Sequence, residues 1–432
     1  MGMNSTPVAE RVHIGIFGRR NAGKSSLINA MTGQNLSIVS PIEGTTTDPV
    51  QKTMELLPLG PVVLIDTPGI DDEGELGKLR VARSYQMLNK SDIALLVVNG
   101  AVGLSNEDVE LLKRIWDKEI PCLVVLNQAD LLNEEELKKC VVNTQSLLEG
   151  ELSEFIQGRC SQERVSQNGI FQWKPKVLAV SALTGFQIHE LKEALTSLVP
   201  EKKSEKRIVA DLIQKDKFTV LVVPIDKAAP KGRLILPQQQ TIRDILEVGG
   251  LCVVVRDVEL VDTLKKLEGQ VGLVITDSQV FGKVSQIVPK EIPMTSFSIL
   301  FARYKGELEP FLSGIDALKN LQDGDKVLIS EGCTHHRQCN DIGSVKIPKW
   351  ICDFSGKSVV FEFTSGGEFP VDVTKYKLIV HCGGCMLNER EMHCRIACAR
   401  DAGISITNYG MLIAYVTGIL ERSLQPIVSV VN

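Results

Sequence analysis

A chain of 432 residues is too long for one hydrophobic core and sets an expectation of two or three domains. Its 44% hydrophobic and 23% charged content is ordinary for globular proteins, and a net charge of −5 argues against a general nucleic-acid binder. No apolar run approaches the ~20 residues that cross a bilayer, and the N-terminus lacks a signal-peptide layout, so no membrane partner and a cytoplasmic location are expected.

From Val12 to about Pro200, short β-branched runs alternate with amphipathic stretches. Val12–Phe17, Val62–Ile65, Ile93–Val98, Cys122–Leu126 and Val177–Val180 read as strands, each followed by a turn and a helix. That alternation predicts an α/β fold with a doubly wound parallel sheet. Residues Asn133–Gln172 are polar and are expected to form an insertion on the surface of this sheet.

Between the first strand and its helix, Gly18-Arg19-Arg20-Asn21-Ala22-Gly23-Lys24-Ser25 matches the phosphate-binding pattern G-x-x-x-x-G-K-[ST]. Gly18 and Gly23 let backbone N–H groups close around phosphates, with Ser26 beside them. Lys24 reaches the β and γ oxygens, and Ser25 ligates Mg²⁺. Asp66-Thr67-Pro68-Gly69 follows a strand, so Asp66 is expected on Mg²⁺ and the Gly69 amide on the γ-phosphate. Asn127-Gln128-Ala129-Asp130 is similar to a guanine-reading loop, in which Asp130 accepts from groups that adenine lacks. Ser181-Ala182 stands where a backbone N–H would meet guanine O6. The expected ligands are GTP and GDP.

These residues resemble the translation-factor-related GTPases of the TrmE–Era kind over about the first 200 residues. Asn21 and the Gly44–Asp48 switch, with Thr46 as a catalytic and Mg²⁺-ligating residue, are similar to members of that group that bind K⁺. Ile70 stands where Ras-like enzymes carry a water-positioning glutamine, so hydrolysis would draw charge stabilisation from a K⁺ held by Asn21. Gln128 replaces the lysine whose stem covers the guanine plane, which predicts modest affinity with guanine preference retained.

The charged stretch Glu201–Arg207 reads as a linker, giving expected domains at 1–203, 206–290 and 291–432. The middle one shows strands Phe218–Pro224, Leu251–Val255 and Gly272–Thr276, and a three-stranded sheet of this kind is expected to cover itself against another chain. In the last, helices near Ser296–Tyr304 and Leu308–Leu321 precede strands Lys326–Ile329 and Leu378–Val380.

Seven of the eleven cysteines and four of the six histidines fall between Cys333 and Cys398, which in an intracellular chain reads as metal or redox chemistry. Cys333-Thr334-His335 and His381-Cys382-Gly383-Gly384-Cys385 each follow a predicted strand, where α/β sheets place ligands. Zinc, a dithiol redox pair and an iron–sulfur cluster all use such spacing. Cys394 and Cys398, four apart on a predicted helix, read as packing residues; Cys339, Cys352 and His393 have no partner spacing.

With these motifs and Ala229–Pro237 together, the whole chain resembles the GTPases that mature [FeFe]-hydrogenase, the HydF family. The resemblance implies a scaffold carrying a [4Fe–4S] cluster and a diiron precursor with CO and cyanide ligands, delivered to apo-[FeFe]-hydrogenase. It also implies a homodimer through the middle domain and radical-SAM maturases as partners. Cys333, Cys382 and Cys385 would be the cluster thiolates, with His335, His381 or an exchangeable ligand at the fourth iron. The competing reading is an RNA-modification or ribosome-assembly GTPase with a structural zinc domain.

Overall fold

The computed structural model describes residues 6–33, 50–71, 74–160, 176–199, 206–225, 234–334 and 341–431. Two compact units, Met1–Lys202 and Lys203–Asn432, divide the chain. Continuous Val, Ile and Leu runs stay out of water only where both faces of a sheet are covered, and the first unit is built on such runs. Strands β1 (Val12–Phe17), β2 (Val50–Leu56), β3 (Gly60–Asp66), β4 (Ile93–Asn99), β5 (Cys122–Asn127) and β6 (Lys176–Ala179) form one sheet in the order β2-β3-β1-β4-β5-β6.

Every neighbouring pair in this sheet is parallel except β2 with β3, which run antiparallel from Val50↔Asp66 to Leu56↔Gly60. Only Leu56 of β2 is buried, so this edge is held by main-chain pairing and leaves no apolar run to read in the sequence. The expected surface insertion is also different in character. Glu134–Cys160 is one long helix, opened by reciprocal bonds between Asn133 and Glu136, and it buries Leu148 and Leu152 against the sheet. Residues 161–175 lie outside the described residues.

The second unit carries two four-stranded sheets. The first joins β7 (Phe218–Val222), β8 (Leu251–Val255), β9 (Val271–Thr276) and β10 (Met294–Ser296) in the order β10-β9-β7-β8. The expectation of three strands is corrected to four: β10 is too short to show a period, but its three residues are fully buried and pair parallel with Val274–Thr276. Ser296 then accepts from Ile299 N and caps the helix Phe297–Lys305.

The other sheet joins β11 (Lys326–Ser330), β12 (Val360–Thr364), β13 (Leu378–His381) and β14 (Ser405–Asn408) in the order β12-β11-β13-β14. All its pairs are parallel. Both sheets place their second strand on one side of the first and the third and fourth on the other, a repeat of topology with no repeat of sequence. One core serves both, uniting Val220, Val222 and Val274 with Val327, Ile329, Leu378 and Val380. The chain reverses direction across the sheet between β11 and β13, and open α/β sheets form a crevice at the carboxyl ends of such a pair.

Candidate functional site

The loop after β1 turns sharply because two of its glycines have room for no side chain. Gly18 has φ 140°, and a Cβ there would lie 2.1 Å from the Val97 carbonyl oxygen; Gly23, at φ 84°, would meet the Asn127 amide at 2.2 Å. Asn21 is also left-handed, at φ 58°, a conformation that asparagine tolerates better than most residues. The loop opens the helix Lys24–Thr32, so the N–H groups of its first turn face the loop interior.

Lys24, 8% exposed, folds back and donates from Nζ to the carbonyls of Gly18 at 2.9 Å and Arg19 at 2.8 Å. Ser25 Oγ donates to Asp66 Oδ2 at 2.9 Å, which brings the two expected Mg²⁺ ligands of the described residues together. Ser26 is half-buried on the same helical turn. Gly69 packs against Arg20, leaving 2.5 Å to its Cγ for any added Cβ. Ile70 lies in the core beside Phe17, and its N–H donates to Gly18 at 3.4 Å. Asp71, just outside the motif, accepts from the Arg20 N–H at 2.7 Å and ties this segment to the loop. Thr46 and the rest of Gly44–Asp48 lie outside the described residues.

The base-reading residues also meet. Asn127, buried at the end of β5, donates to the Ala22 carbonyl at 3.0 Å and accepts from Ala182 N at 3.1 Å, tying three loops into one rim. Asp130 accepts from Ser181 Oγ, and Ala129 N donates to the Val180 carbonyl. Gln128, at φ 64°, sends its amide to the Asn21 carbonyl at 3.3 Å.

In the second unit the parallel register sets Ser330 of β11 beside His381 of β13, and Cys382 N donates to the Ser330 carbonyl at 2.9 Å. Cys333 and Cys382 therefore leave adjacent strand ends at the topological switch. Cys382 Sγ accepts from the backbone N–H of Gly332 at 3.1 Å and of Gly384 at 3.4 Å. Gly384 makes the turn at φ 65°, where a Cβ would come within 2.1 Å of Met392 Cε. Cys385 packs against the hydrophobic cluster that includes Phe297, Leu300 and Phe301. Burial pushes both thiols up, Cys385 to about 12. Thiols raised in this way lose their protons readily only when a cation replaces the proton on sulfur, and backbone N–H groups directed at sulfur stabilise the thiolate so formed. Cys333 is half-buried, and its carbonyl accepts from Gly366 N at 3.2 Å. Among the described residues no three His, Cys, Asp or Glu side chains converge as a finished metal site. His335, His336 and Cys339 lie outside those residues.

His381, the other candidate for the fourth iron position, has a hydrogen-bond partner at each ring nitrogen. It is fully buried, and its Nε2 faces Arg395 Nη1 at 3.0 Å. Because arginine only donates, Nε2 accepts and the proton sits on Nδ1, which bonds the Cys382 carbonyl at 2.8 Å. Burial, with Arg395 beside it, lowers its pKa to about 3, so the ring is neutral with both nitrogens engaged. Arg395 and Glu391 belong to no sequence motif, yet they are buried, bonded to each other at 2.7 Å and four apart on the helix Glu389–Asp401. The available signal was that spacing beside the apolar positions Met392, Ile396 and Ala399. Cys394 and Cys398 share this helix and are half-buried.

Comparison with known proteins divides the chain along the same lines. Residues 13–128 match the 50S ribosome-binding GTPase profile, 208–306 the hydrogen maturase F dimerization domain, and 309–426 its tetramerization domain. GTPase Der of Kosmotoga olearia is 31% identical over 237 residues, 53% of this chain and 48% of its own length. The tRNA modification GTPase MnmE of Dechloromonas aromatica is 37% identical over 121 residues, 28% of this chain and 27% of its own. The chain thus spans about half the length of the Der relative, and less of MnmE. A crystal structure of Aquifex aeolicus Era bound to GDP and AlF4− overlaps 60% of this chain and 98% of its own, with 18% identity and a TM-score of 0.34. With a GTPase domain followed by both hydrogen maturase F domains, the chain belongs to the HydF family, its N-terminal part being of the TrmE/Era-like GTPase kind.

Proposed function

We propose that this chain is a GTP-hydrolysing scaffold that carries a [4Fe–4S] cluster and a diiron precursor with CO and cyanide ligands, and delivers the precursor to apo-[FeFe]-hydrogenase. The observation that carries the reading is the pairing of two cysteine loops at the switch point of the third sheet, with two backbone N–H groups directed at Cys382 Sγ. Cys333, Cys382 and Cys385 would hold the cluster. When bound, it supplies an iron without a thiolate, the open position at which a carrier receives and releases cargo. His381, bonded at both nitrogens, leaves the fourth position to His335 or an exchangeable ligand.

In the first unit, Lys24 would trade its two loop carbonyls for β and γ phosphate oxygens. Ser25, Asp66 and Thr46 would hold Mg²⁺, with Gly69 on the γ-phosphate. Asn127, Asp130, Ser181 and Ala182 would read guanine. Ile70, buried in the core, orients no water, so K⁺ held by Asn21 supplies charge stabilisation. The proposed partners are a second copy of the chain, the radical-SAM maturases and the apo-hydrogenase. The hydrogen maturase F profiles over 208–306 and 309–426 favour this reading over a ribosome-assembly or RNA-modification GTPase with a zinc domain.

Anaerobic reconstitution with iron and sulfide tests the proposal. About four irons per chain are expected, with an EPR signal on reduction that added imidazole or cyanide perturbs. Stoichiometric zinc in the purified protein, with no uptake of iron and sulfide, would overturn it.

A further inference from the structure

Both cysteine loops rest on a guanidinium that lies outside their motifs. Arg395, 2% exposed, extends from the helix Glu389–Asp401 to the carboxyl ends of β11 and β13. Its Nη1 donates to His381 Nε2 at 3.0 Å and to Ser330 Oγ at 3.3 Å. Its Nη2 donates to the Gly366 carbonyl and to Glu391 Oε1, each at 2.7 Å. The Phe369 ring centre lies 5.2 Å from its central carbon.

Three of these bonds lead on to a cysteine. His381 Nδ1 holds the Cys382 carbonyl at 2.8 Å, and Ser330, whose hydroxyl Arg395 meets, accepts from Cys382 N at 2.9 Å. Gly366, held at its carbonyl oxygen by Arg395, donates its own N–H to the Cys333 carbonyl at 3.2 Å. One rigid planar fork therefore links the segments that carry Cys333 and Cys382, which lie far apart in sequence. Glu391 balances its charge at contact distance, so the pair adds little net field and acts through geometry.

We propose that Arg395 is a positioning residue for the cluster site. Acting through His381 on one side and the backbone of Gly366 on the other, it sets the spacing of the Cys333 and Cys382 loops. His381 is then its relay and not an iron ligand. The inference rests on the cluster-carrier reading and deepens it.

The test uses the full chain with Arg395→Met, Arg395→Lys, His381→Leu and His381→Gln, each reconstituted anaerobically beside the wild type. Three quantities are measured: iron stripped by bathophenanthroline over time, the g values of the reduced protein, and the melting temperature of the apoprotein. Arg395→Met is expected to lose iron about tenfold faster, or more, with shifted g values, the usual effect of removing an outer partner of a metal site. Arg395→Lys should resemble it, since an ammonium cannot span the same fork. His381→Leu should match Arg395→Met, and the double variant should be no worse than either. His381→Gln keeps an oxygen acceptor for Arg395 and should stay near wild type.

Wild-type stripping and g values in Arg395→Met overturn the proposal. Equal damage from His381→Gln and His381→Leu also overturns it, because an imidazole bound to iron would behave that way. If the apoprotein of Arg395→Met fails to melt cooperatively, the two His381 variants decide alone. A wild type that takes up no iron overturns the carrier reading itself, and this inference with it.

Discussion

Lys24 directs its ammonium at two carbonyls of its own loop, so the group that would meet phosphate is already aimed into the turn. Lys24→Ala is expected to lower GTP turnover by about a hundredfold or more, the scale of losing one preorganised charge partner; phosphate release measures it. Asp130 is oriented by Ser181 Oγ, and an asparagine there presents a donor where guanine also presents one. Asp130→Asn should weaken GTP by ~1.5–3 kcal/mol, roughly ten- to a hundredfold, and competition against ATP reads this directly. An unchanged preference would remove 127–130 from the base-reading role. The burial of Ile70 predicts faster hydrolysis in K⁺ than in Na⁺ at equal ionic strength. Equal rates would remove the proposed K⁺ at Asn21.

Among the elements, the turn Cys382–Cys385 depends on backbone freedom as much as on its thiols. Gly384 sits at φ 65° with Met392 Cε where its Cβ would go. Gly384→Ala should destabilise the fold by ~1–2 kcal/mol from the left-handed conformation alone, with a further loss from the contact. Urea denaturation of the apoprotein, repeated with Met392→Ala added, separates the two: the second substitution should recover only the contact part. Strong hydrophobic periods made most central strands legible. β2, β10, β12 and β14 were not legible: all four are edge strands, β2 with a single buried residue, β12 with none and β10 only three residues long. The helix Glu134–Cys160 was hidden by its polar composition, because two buried leucines among 27 residues leave a faint stripe.

Across the whole molecule, two all-parallel sheets of identical strand order share one core, and each leaves edge strands. β8 is such an edge, with Leu251 46% and Val254 42% exposed. In a chain with a dimerization domain over 208–306, an apolar edge of this kind is the expected place for a second copy. Val254→Lys should shift sedimentation toward the lighter species with little change in melting temperature. A sedimentation profile equal to wild type would move the interface elsewhere. Among the described residues no helix is long and apolar enough to cross a membrane.

Local pattern determined much of this protein. A glycine-rich turn must sit between a strand and a helix, and Asp66 and Asn127 fall at strand ends because apolar runs stop there. Paired cysteines past Leu378–Val380 raised the expectation of a metal or redox site in the same way, since each of these signals lies within about ten residues. The role of His381 could not be read so. Imidazole suits a metal as well as a hydrogen bond, and only the packing of a helix from further along the chain puts Arg395 on its Nε2. The adjacency of Cys333 and Cys382 depended likewise on the order β12-β11-β13-β14. Which strands become neighbours is settled by how helices cover both faces of a sheet, a free energy summed over the whole core and carried by no single segment.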